Sequence, residues 1–109
     1  LVKKLDKEFL VRFAQVQWLE ANGNYVNLHS NGRIYPLRTT LSKLETQLAG
    51  QGFIRVHRRY LVNQTAIDHL SFQPSGDGEL RLKEGVVLNV SRRYREALRL
   101  RLSKDGNLR

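Results

Sequence analysis

The alternation of apolar and polar residues predicts that most of the chain forms short strands. Residues 25–29, Tyr-Val-Asn-Leu-His, show the pattern clearly, because Val and Leu alternate with more polar neighbours. A period of two places the two sets on opposite faces of a strand, one of them buried. This pattern, or a short apolar run, predicts further strands at residues 1–4, 9–13, 16–21, 33–38, 53–56, 61–63, 66–72, 79–83 and 86–90.

Turn residues separate these strands. Asn-Gly pairs occur within residues 22–24 and 30–32, and both residue types tolerate the positive φ that tight turns require. The second pair joins two strand-like runs and therefore predicts a β-hairpin. Glu84-Gly85 predicts a second hairpin, residues 74–78 predict a further turn, and Asp6-Lys7-Glu8 predicts a polar turn.

A helix is predicted in the middle of the chain. Leu41, Leu44 and Leu48 recur at i, i+3 and i+7, which places them on one helical face. Thr40 can cap the start of this helix, and the glycines at positions 50 and 52 can end it. Because the helix has a single apolar stripe, we expect it to lie against a sheet.

A second helix is predicted near the C-terminus. Tyr94, Leu98 and Leu102 recur at i, i+4 and i+8 and should pack inward, and Ser91 can cap the start. Residues 103–109 are expected to form a frayed tail, which leaves residues 1–102 as the domain. The predicted fold class is mainly β, with one mid-chain helix and one C-terminal helix.

The composition favours a polyanionic partner. The 109 residues have the size of one domain, and 40% apolar residues are sufficient for a core. Nineteen Lys and Arg residues against ten Asp and Glu give a formal net charge of +9. Such an excess suits a nucleic acid first and an anionic membrane second. The alternative is a basic surface that is merely solvated.

The sequence contains no cysteine, which excludes disulfides, thiol nucleophiles and cysteine metal sites and fits a cytoplasmic protein. No apolar run approaches the roughly 20 residues of a membrane-spanning helix. No signal-peptide pattern opens the chain. The first residues, Leu1-Val2-Lys3-Lys4, lack an initiator Met, so we interpret the chain as a fragment of a longer protein.

Two basic clusters are candidates for contacts with a nucleic acid. The first, Arg55-Val56-His57-Arg58-Arg59, coincides with a break in a predicted strand, which we place at Arg58-Arg59-Tyr60. Arginine can donate two parallel hydrogen bonds to a phosphate or to a guanine edge. The alternative for this cluster is a solvated bend. For His57 we favour a structural, hydrogen-bonding role over a contact with phosphate.

The second cluster, Ser91-Arg92-Arg93, starts the predicted final helix. A helix N-terminus carries partial positive charge, and cations there cost roughly 0.3–1 kcal/mol each. A phosphate bound by the arginines and the free N–H groups would remove this conflict, and nearby carboxylates would do so too. A weaker candidate is the turn at residues 22–25, Asn-Gly-Asn-Tyr, whose amides can bond adenine edges or phosphates. Asn-Gly turns are more often only turns.

The remaining aromatic and histidine residues are assigned structural positions. Those expected in the core, because each lies in an apolar strand, are Phe9, Phe13, Trp18 and Phe53. His29 and His69 alternate with apolar neighbours, so we expect both on a solvent-facing side. They lack the close spacing of a metal-binding pair. The sequence therefore predicts no metal site and no cofactor.

Four blocks of the sequence, in order, match the motifs of one family. Residues 18–26, WLEANGNYV, are similar to a segment written as a hydrophobic pair, E-A, x, G-N-Y-V. Residues 38–45 resemble the start of its helix. Residues 53–63, FIRVHRRYLVN, are similar to its F-x-R-x-H-R-S-x-x-V-N stretch, and residues 90–95, VSRRYR, to its closing S-R-x-Y-R. Together, over about residues 1–102, they resemble the LytTR domain, the DNA-binding half of bacterial LytR/AlgR-type response regulators.

The resemblance implies an elongated stack of short antiparallel sheets with about ten strands and small helices. It implies sequence-specific binding of double-stranded DNA by loops inserted in the major groove, as the output domain of a transcriptional regulator in a two-component system. The contact residues that it implies are Asn22, Asn24, Tyr25, Arg58, Arg59, Arg92 and Arg93. We expect Arg58 and Arg93 at base edges and Arg59 and Arg92 at phosphates.

The sequence departs from the family at Arg59, where the motif has Ser, so a short hydroxyl contact is lost or replaced by a longer reach. The resemblance further implies a monomer in isolation that pairs on direct-repeat DNA sites. It also implies an N-terminal receiver or sensor domain in the full-length protein.

Other function classes fit the sequence less well. The alternative is a non-specific nucleic-acid (RNA) binding module, because residues 51–56 faintly resemble an RRM strand motif. However, Gln51 stands where a basic residue is needed and Arg58 where a stacking aromatic is needed. An enzyme is not expected, because HExxH, GxSxG and P-loop motifs are absent. A membrane-surface module would need exposed Trp or Phe on the basic final helix, which lacks them.

Overall fold

The computed structural model describes residues 2–104, and within that range ten strands form three antiparallel sheets. The strands are β1 (Val2–Lys4), β2 (Lys7–Phe9), β3 (Trp18–Asn22), β4 (Tyr25–Ser30), β5 (Arg33–Leu37), β6 (Phe53–His57), β7 (Tyr60–Asn63), β8 (Ile67–Phe72), β9 (Gly78–Leu82) and β10 (Val87–Val90). The helices are α1 (Leu41–Gln47) and α2 (Arg92–Lys104). The molecule measures 47 × 26 × 25 Å, so the predicted elongated, mainly β fold is confirmed.

The largest sheet has five strands in the order β5-β4-β3-β7-β6. A three-stranded sheet follows the order β10-β9-β8, and β1 pairs with β2. In the large sheet the chain builds β3, β4 and β5 as consecutive hairpins. It then crosses over through α1 to the opposite edge, and β7 returns to pair with β3. Strand β3 therefore lies in the centre and joins both halves of this sheet.

The five-stranded sheet carries a hydrophobic core on each face. Neighbouring side chains of a strand point to opposite faces, and Trp18 and Leu19 therefore enter different cores. Leu19 packs in the core that includes Leu41 and Leu44 of α1. Trp18 packs in the core formed with β9, β10 and Leu98 of α2. The sheet is thus enclosed by α1 on one side and by the three-stranded sheet and α2 on the other.

The predicted hairpin turn at residues 31–32 and the predicted cap at Thr40 are confirmed. Asn31 and Gly32 have φ of 52° and 81°, the pair of positive values that a two-residue hairpin turn needs, and they join β4 to β5. The Oγ1 atom of Thr40 accepts a hydrogen bond from the Lys43 N–H (3.2 Å) and caps α1. Helix α2 continues through Lys104, and residues 105–109 of the predicted tail lie outside the described residues.

The strand predicted at residues 9–13 is wrong. Strand β2 ends at Phe9, the next residues are unpaired, and residues 13–15 form a 3₁₀ turn. The Phe9 ring packs on Tyr35 with 5.4 Å between ring centroids, while Leu10 is 67% exposed. The apolar character of this segment reflects ring packing against another part of the chain, and it does not indicate membership of a sheet.

Two further expectations are corrected. The polar turn predicted at residues 6–8 lies one residue earlier, because Leu5 adopts φ 58° and Lys7 already belongs to β2. Positive φ is uncommon for Leu, so the sequence carried no sign of it. His29 is not solvent-facing: its ring stacks on Trp18 at a centroid distance of 3.6 Å, and its Nε2 lies 3.3 Å from Oε1 of Glu20. His69 is exposed, as expected.

Candidate nucleic-acid interface

The three predicted contact segments lie at one end of the five-stranded sheet. Asn22 pairs with Tyr25 and closes the β3–β4 turn. Strand β3 also pairs with β7, and its Ala21 N–H donates a 2.9 Å hydrogen bond to the Arg59 carbonyl in the β6–β7 turn. The break predicted in this region is a two-residue turn of Arg58 and Arg59, and Tyr60 belongs to β7. The two turns therefore stand side by side.

The start of α2 is held next to the same turns. The Ser91 N–H donates a 3.0 Å hydrogen bond to the carbonyl oxygen of Val56 in β6. Helix α2 then packs against β6, with Leu98 fully buried. Arg92 and Arg93 consequently begin α2 beside the end of β6. Segments far apart in the sequence become neighbours because β3, β7 and β6 are adjacent strands.

Arg55 holds the β6–β7 turn in place. Its Nε donates to the His57 carbonyl (2.7 Å), and its Nη2 donates to the Arg58 carbonyl. Its Nη1 forms an ion pair with Oε1 of Glu45 in α1 (2.8 Å), and the side chain is only 11% exposed. The first basic cluster therefore divides into a structural Arg55 and two exposed arginines, Arg58 and Arg59.

His57 organises the same turn from within. Its Nδ1 accepts a hydrogen bond from the Arg59 N–H (3.1 Å), and its ring lies 5.0 Å from the ring of Tyr60. Burial lowers the pKa of His57, and the positive charges of Arg58, Arg59 and Arg55 lower it further. A neutral ring is what this hydrogen bond requires, because Nδ1 must be free of a proton to accept it.

Arg59 connects the two turns. Its Nη2 donates a long 3.4 Å hydrogen bond to the Ala21 carbonyl and lies 4.0 Å from Oε2 of Glu20. The side chain is 51% exposed, so the contact with Glu20 is a weak surface ion pair. Glu20 is also the partner of His29.

Arg58, Arg92 and Arg93 are exposed and form no ion pair with a carboxylate anywhere in residues 2–104. Within the described range, the cationic start of α2 is therefore not neutralised by a carboxylate. The Arg93 guanidinium lies 5.4 Å from the ring of Tyr94. Arg92 lies over the β8–β9 loop, where its Nε is 3.2 Å from the position that a Cβ on Gly76 would occupy.

Arg38 is a residue at this end that the sequence analysis did not single out. Leu37 in β5 pairs with Val26 in β4, so the next residue, Arg38, lies level with Tyr25. The two side chains are exposed, and the Arg38 guanidinium lies 6.0 Å from the centroid of the Tyr25 ring. The sequence contained Arg38, but only the β4–β5 register shows that it lies beside the other candidates.

Eight exposed residues lie together at one end of the sheet, and we call this set the basic edge: Asn22, Asn24, Tyr25, Arg38, Arg58, Arg59, Arg92 and Arg93. Four of its five arginines have no carboxylate partner within residues 2–104, and such a cluster of exposed guanidinium groups suits a ligand with repeated negative charges. Among residues 2–104, no group of three or more His, Cys, Asp or Glu side chains could hold a metal ion. No helix in that range has the length and apolarity needed to cross a membrane.

Comparison with known proteins agrees with this geometry. Residues 6–103 match the family described as the LytTr DNA-binding domain. A LytTr DNA-binding domain from Bacillus cereus superposes with a TM-score of 0.84 and 26% identity, covering 93% of each chain.

Two regulators are similar in sequence. The chain is 31% identical over 104 residues to an uncharacterized HTH-type transcriptional regulator of Staphylococcus aureus (strain bovine RF122 / ET3-1), covering 94% of this chain and 70% of that protein. It is 31% identical over 93 residues to the transcriptional regulatory protein BtsR of Escherichia coli (strain K12), covering 84% of this chain and 37% of BtsR. The chain therefore belongs to the LytTr DNA-binding domain family.

Proposed function

We propose that the domain reads specific sequences of double-stranded DNA by placing the turns of the basic edge in the major groove. Membership of the family makes DNA binding in transcription regulation the function of the domain. The observation that supports the finer mechanism is the convergence of three segments, far apart in the sequence, into one exposed row of amides and arginines. No helix face is needed for this contact, because the row consists of turns and one helix start.

The dimensions of the edge suit a duplex. Neighbouring strands lie about 4.8 Å apart, so the centres of the β3–β4 and β6–β7 turns are separated by roughly 10 Å. The major groove is about 12 Å wide and admits a two-stranded β-ribbon. Each turn belongs to such a ribbon, and each has only two residues between its paired strands. A hairpin tip can therefore reach base edges while its flanking cations meet the phosphates.

The proposed roles of the four arginines differ. Arg58, Arg92 and Arg93 form no ion pair within residues 2–104, and of these we assign Arg58 and Arg93 to base edges, with guanine the preferred partner. Arg59 is tied to Ala21 and Glu20, so its reach is restricted, and we assign it with Arg92 to phosphates. The amides of Asn22 and Asn24 are available for adenine edges or phosphates.

The test is a selection of random duplex DNA by the domain, followed by affinity measurements at two salt concentrations. A shared motif among the selected duplexes is expected. Arg93→Ala should then weaken binding to the motif by roughly 1–3 kcal/mol and relax the preference at one base pair. The matched control is Arg81→Ala, an exposed arginine on β9 away from the basic edge. A steep salt dependence without any enriched motif would refute sequence-specific reading.

We propose three further properties of the whole protein. The domain is a cytoplasmic monomer that pairs on direct-repeat sites, and it is the output of an N-terminal receiver or sensor domain. The chain matches only 37% of the length of BtsR, as expected if the domain is one part of a longer regulator. Sedimentation with one and with two half-sites on a duplex tests the pairing, because a monomer that pairs on DNA gives a 2:1 complex only with the second duplex.

A further inference from the structure

We infer that Arg38 binds a DNA phosphate and that the ring of Tyr25 positions its guanidinium, which extends the interface beyond the three segments already described. This inference rests on the proposed binding of double-stranded DNA. It adds a fourth segment, the residue that follows β5, to the contact surface. The ligand group is the phosphate diester, and the contact does not depend on base sequence.

The register of the sheet places Arg38 in the row of contacts. Strand β5 is the edge strand next to β4, and Leu37 pairs with Val26. Arg38 therefore leaves the sheet at the same end as the β3–β4 turn, beside Tyr25. Its distance from the centre of that turn is about one and a half strand spacings, roughly 7 Å.

The surroundings of Arg38 leave its charge available. Within residues 2–104 it forms no ion pair with a carboxylate. Its guanidinium lies 6.0 Å from the centre of the Tyr25 ring, and Tyr25 is 42% exposed. A guanidinium at this distance is attracted by the face of the ring, which restricts its direction without using its N–H donors. The donors remain free for the oxygens of a phosphate.

Arg33 provides a matched control on the same strand. Arg33 begins β5, is exposed, and pairs with Ser30 at the opposite end of the sheet. Arg38 lies five positions further along the extended chain, which corresponds to roughly 17 Å. Replacing either arginine by alanine removes one positive charge at one end of β5, but only Arg38 lies on the basic edge. The two variants therefore separate a phosphate contact from a general effect of net charge.

The experiment compares wild type, Arg38→Ala and Arg33→Ala by measuring Kd at several salt concentrations on a selected duplex and on a random duplex. Loss of one phosphate contact should reduce the slope of log K against log salt by about 0.9 on both duplexes. The preferred sequence should not change. In an ethylation-interference assay, Arg38→Ala should show one fewer phosphate at which ethylation blocks binding, on the side of the β3–β4 turn. On a Tyr25→Ala background, which lacks the ring, Arg38→Ala should lower the affinity by a smaller factor than it does in wild type.

Each outcome decides the inference. Equal slopes for Arg38→Ala and Arg33→Ala would overturn it, since only net charge would then matter. A changed base preference with an unchanged slope would also overturn it, because Arg38 would then contact a base. Unchanged melting temperatures of the two variants exclude a folding effect. If wild type selects no motif, sequence-specific reading fails, yet the slope on random duplex still tests Arg38. If wild type does not bind duplex DNA at all, the proposed function fails.

Discussion

Replacement of Arg55 by methionine would remove the guanidinium that holds the β6–β7 turn while keeping a long apolar stem. Arg55 donates to two turn carbonyls, those of His57 and Arg58, and forms an ion pair with Glu45. The side chain is 89% shielded from solvent, since only 11% is exposed. The loss of these bonds should both destabilise the domain and loosen the turn that carries Arg58 and Arg59.

The magnitude follows from the partners. Hydrogen bonds to a charged group contribute about 1.5–3 kcal/mol each. The lower end applies here, because the released carbonyls of an exposed turn can bond water. The ion pair adds only about 0.2–1 kcal/mol, because Glu45 is 47% exposed. Arg55→Met should therefore lower the free energy of unfolding by about 3–4 kcal/mol, which in a domain of this size lowers Tm by roughly 15–20 °C.

Urea unfolding at neutral pH measures this change, with Glu45→Gln as the matched control. The control removes the ion pair but keeps both bonds to the turn, so it should cost no more than about 1 kcal/mol. If Arg55→Met costs no more than Glu45→Gln, the bonds to the turn contribute nothing and the reasoning is wrong. Under conditions where the variant is folded, Arg55→Met should also weaken DNA binding, whereas Glu45→Gln should change it little.

Three further predictions concern stability. Gly78→Ala should cost about 1–3 kcal/mol in urea unfolding, because an added Cβ would lie 2.7 Å from the Phe72 ring; no loss would mean that the ring moves freely. Asn63→Ala should cost at least about 2 kcal/mol in the same assay, because the buried side chain of Asn63 donates a hydrogen bond to the Val16 carbonyl (2.9 Å). A variant as stable as wild type would contradict this. Burial lowers the pKa of His29 and of His57 below the ordinary 6.5. As pH falls below 6.5, these two histidines therefore bind protons in the unfolded chain before they do so in the folded domain, which favours unfolding. The urea midpoint should fall over this range, and a midpoint that rises would contradict this.

Local chemistry made most of the fold predictable. Asn31-Gly32 supplied the positive φ of a hairpin turn, Thr40 supplied the cap of α1, and residues 25–29 alternated as β4 does. The segment 9–13 was mispredicted because its apolar side chains pack on residues far away in the sequence. Phe9 packs on β5, and no local pattern distinguishes such an anchoring segment from a strand.

The candidate site was only partly predictable for a different reason. Arg58 stood out because it coincides with a break in a predicted strand, and Arg93 because a cation at a helix start is electrostatically unfavourable. Arg38 has no such local conflict, since it simply follows a strand. Its position on the basic edge depends on the pairing of β5 with β4 and on the central place of β3, which are properties of the whole sheet. A single sequence carries no direct record of that order.

The two hairpin turns of the basic edge have only two residues each, Gly23-Asn24 and Arg58-Arg59, between paired strands. A loop of this length has almost no slack, so little conformational entropy is lost when it meets a partner. In the β6–β7 turn, the backbone position is fixed by the paired strands and by the bonds from Arg55 to the His57 and Arg58 carbonyls. A substitution at position 58 or 59 therefore exchanges the side chain that the turn presents, while the pairing of β6 with β7 keeps the backbone of the turn in place.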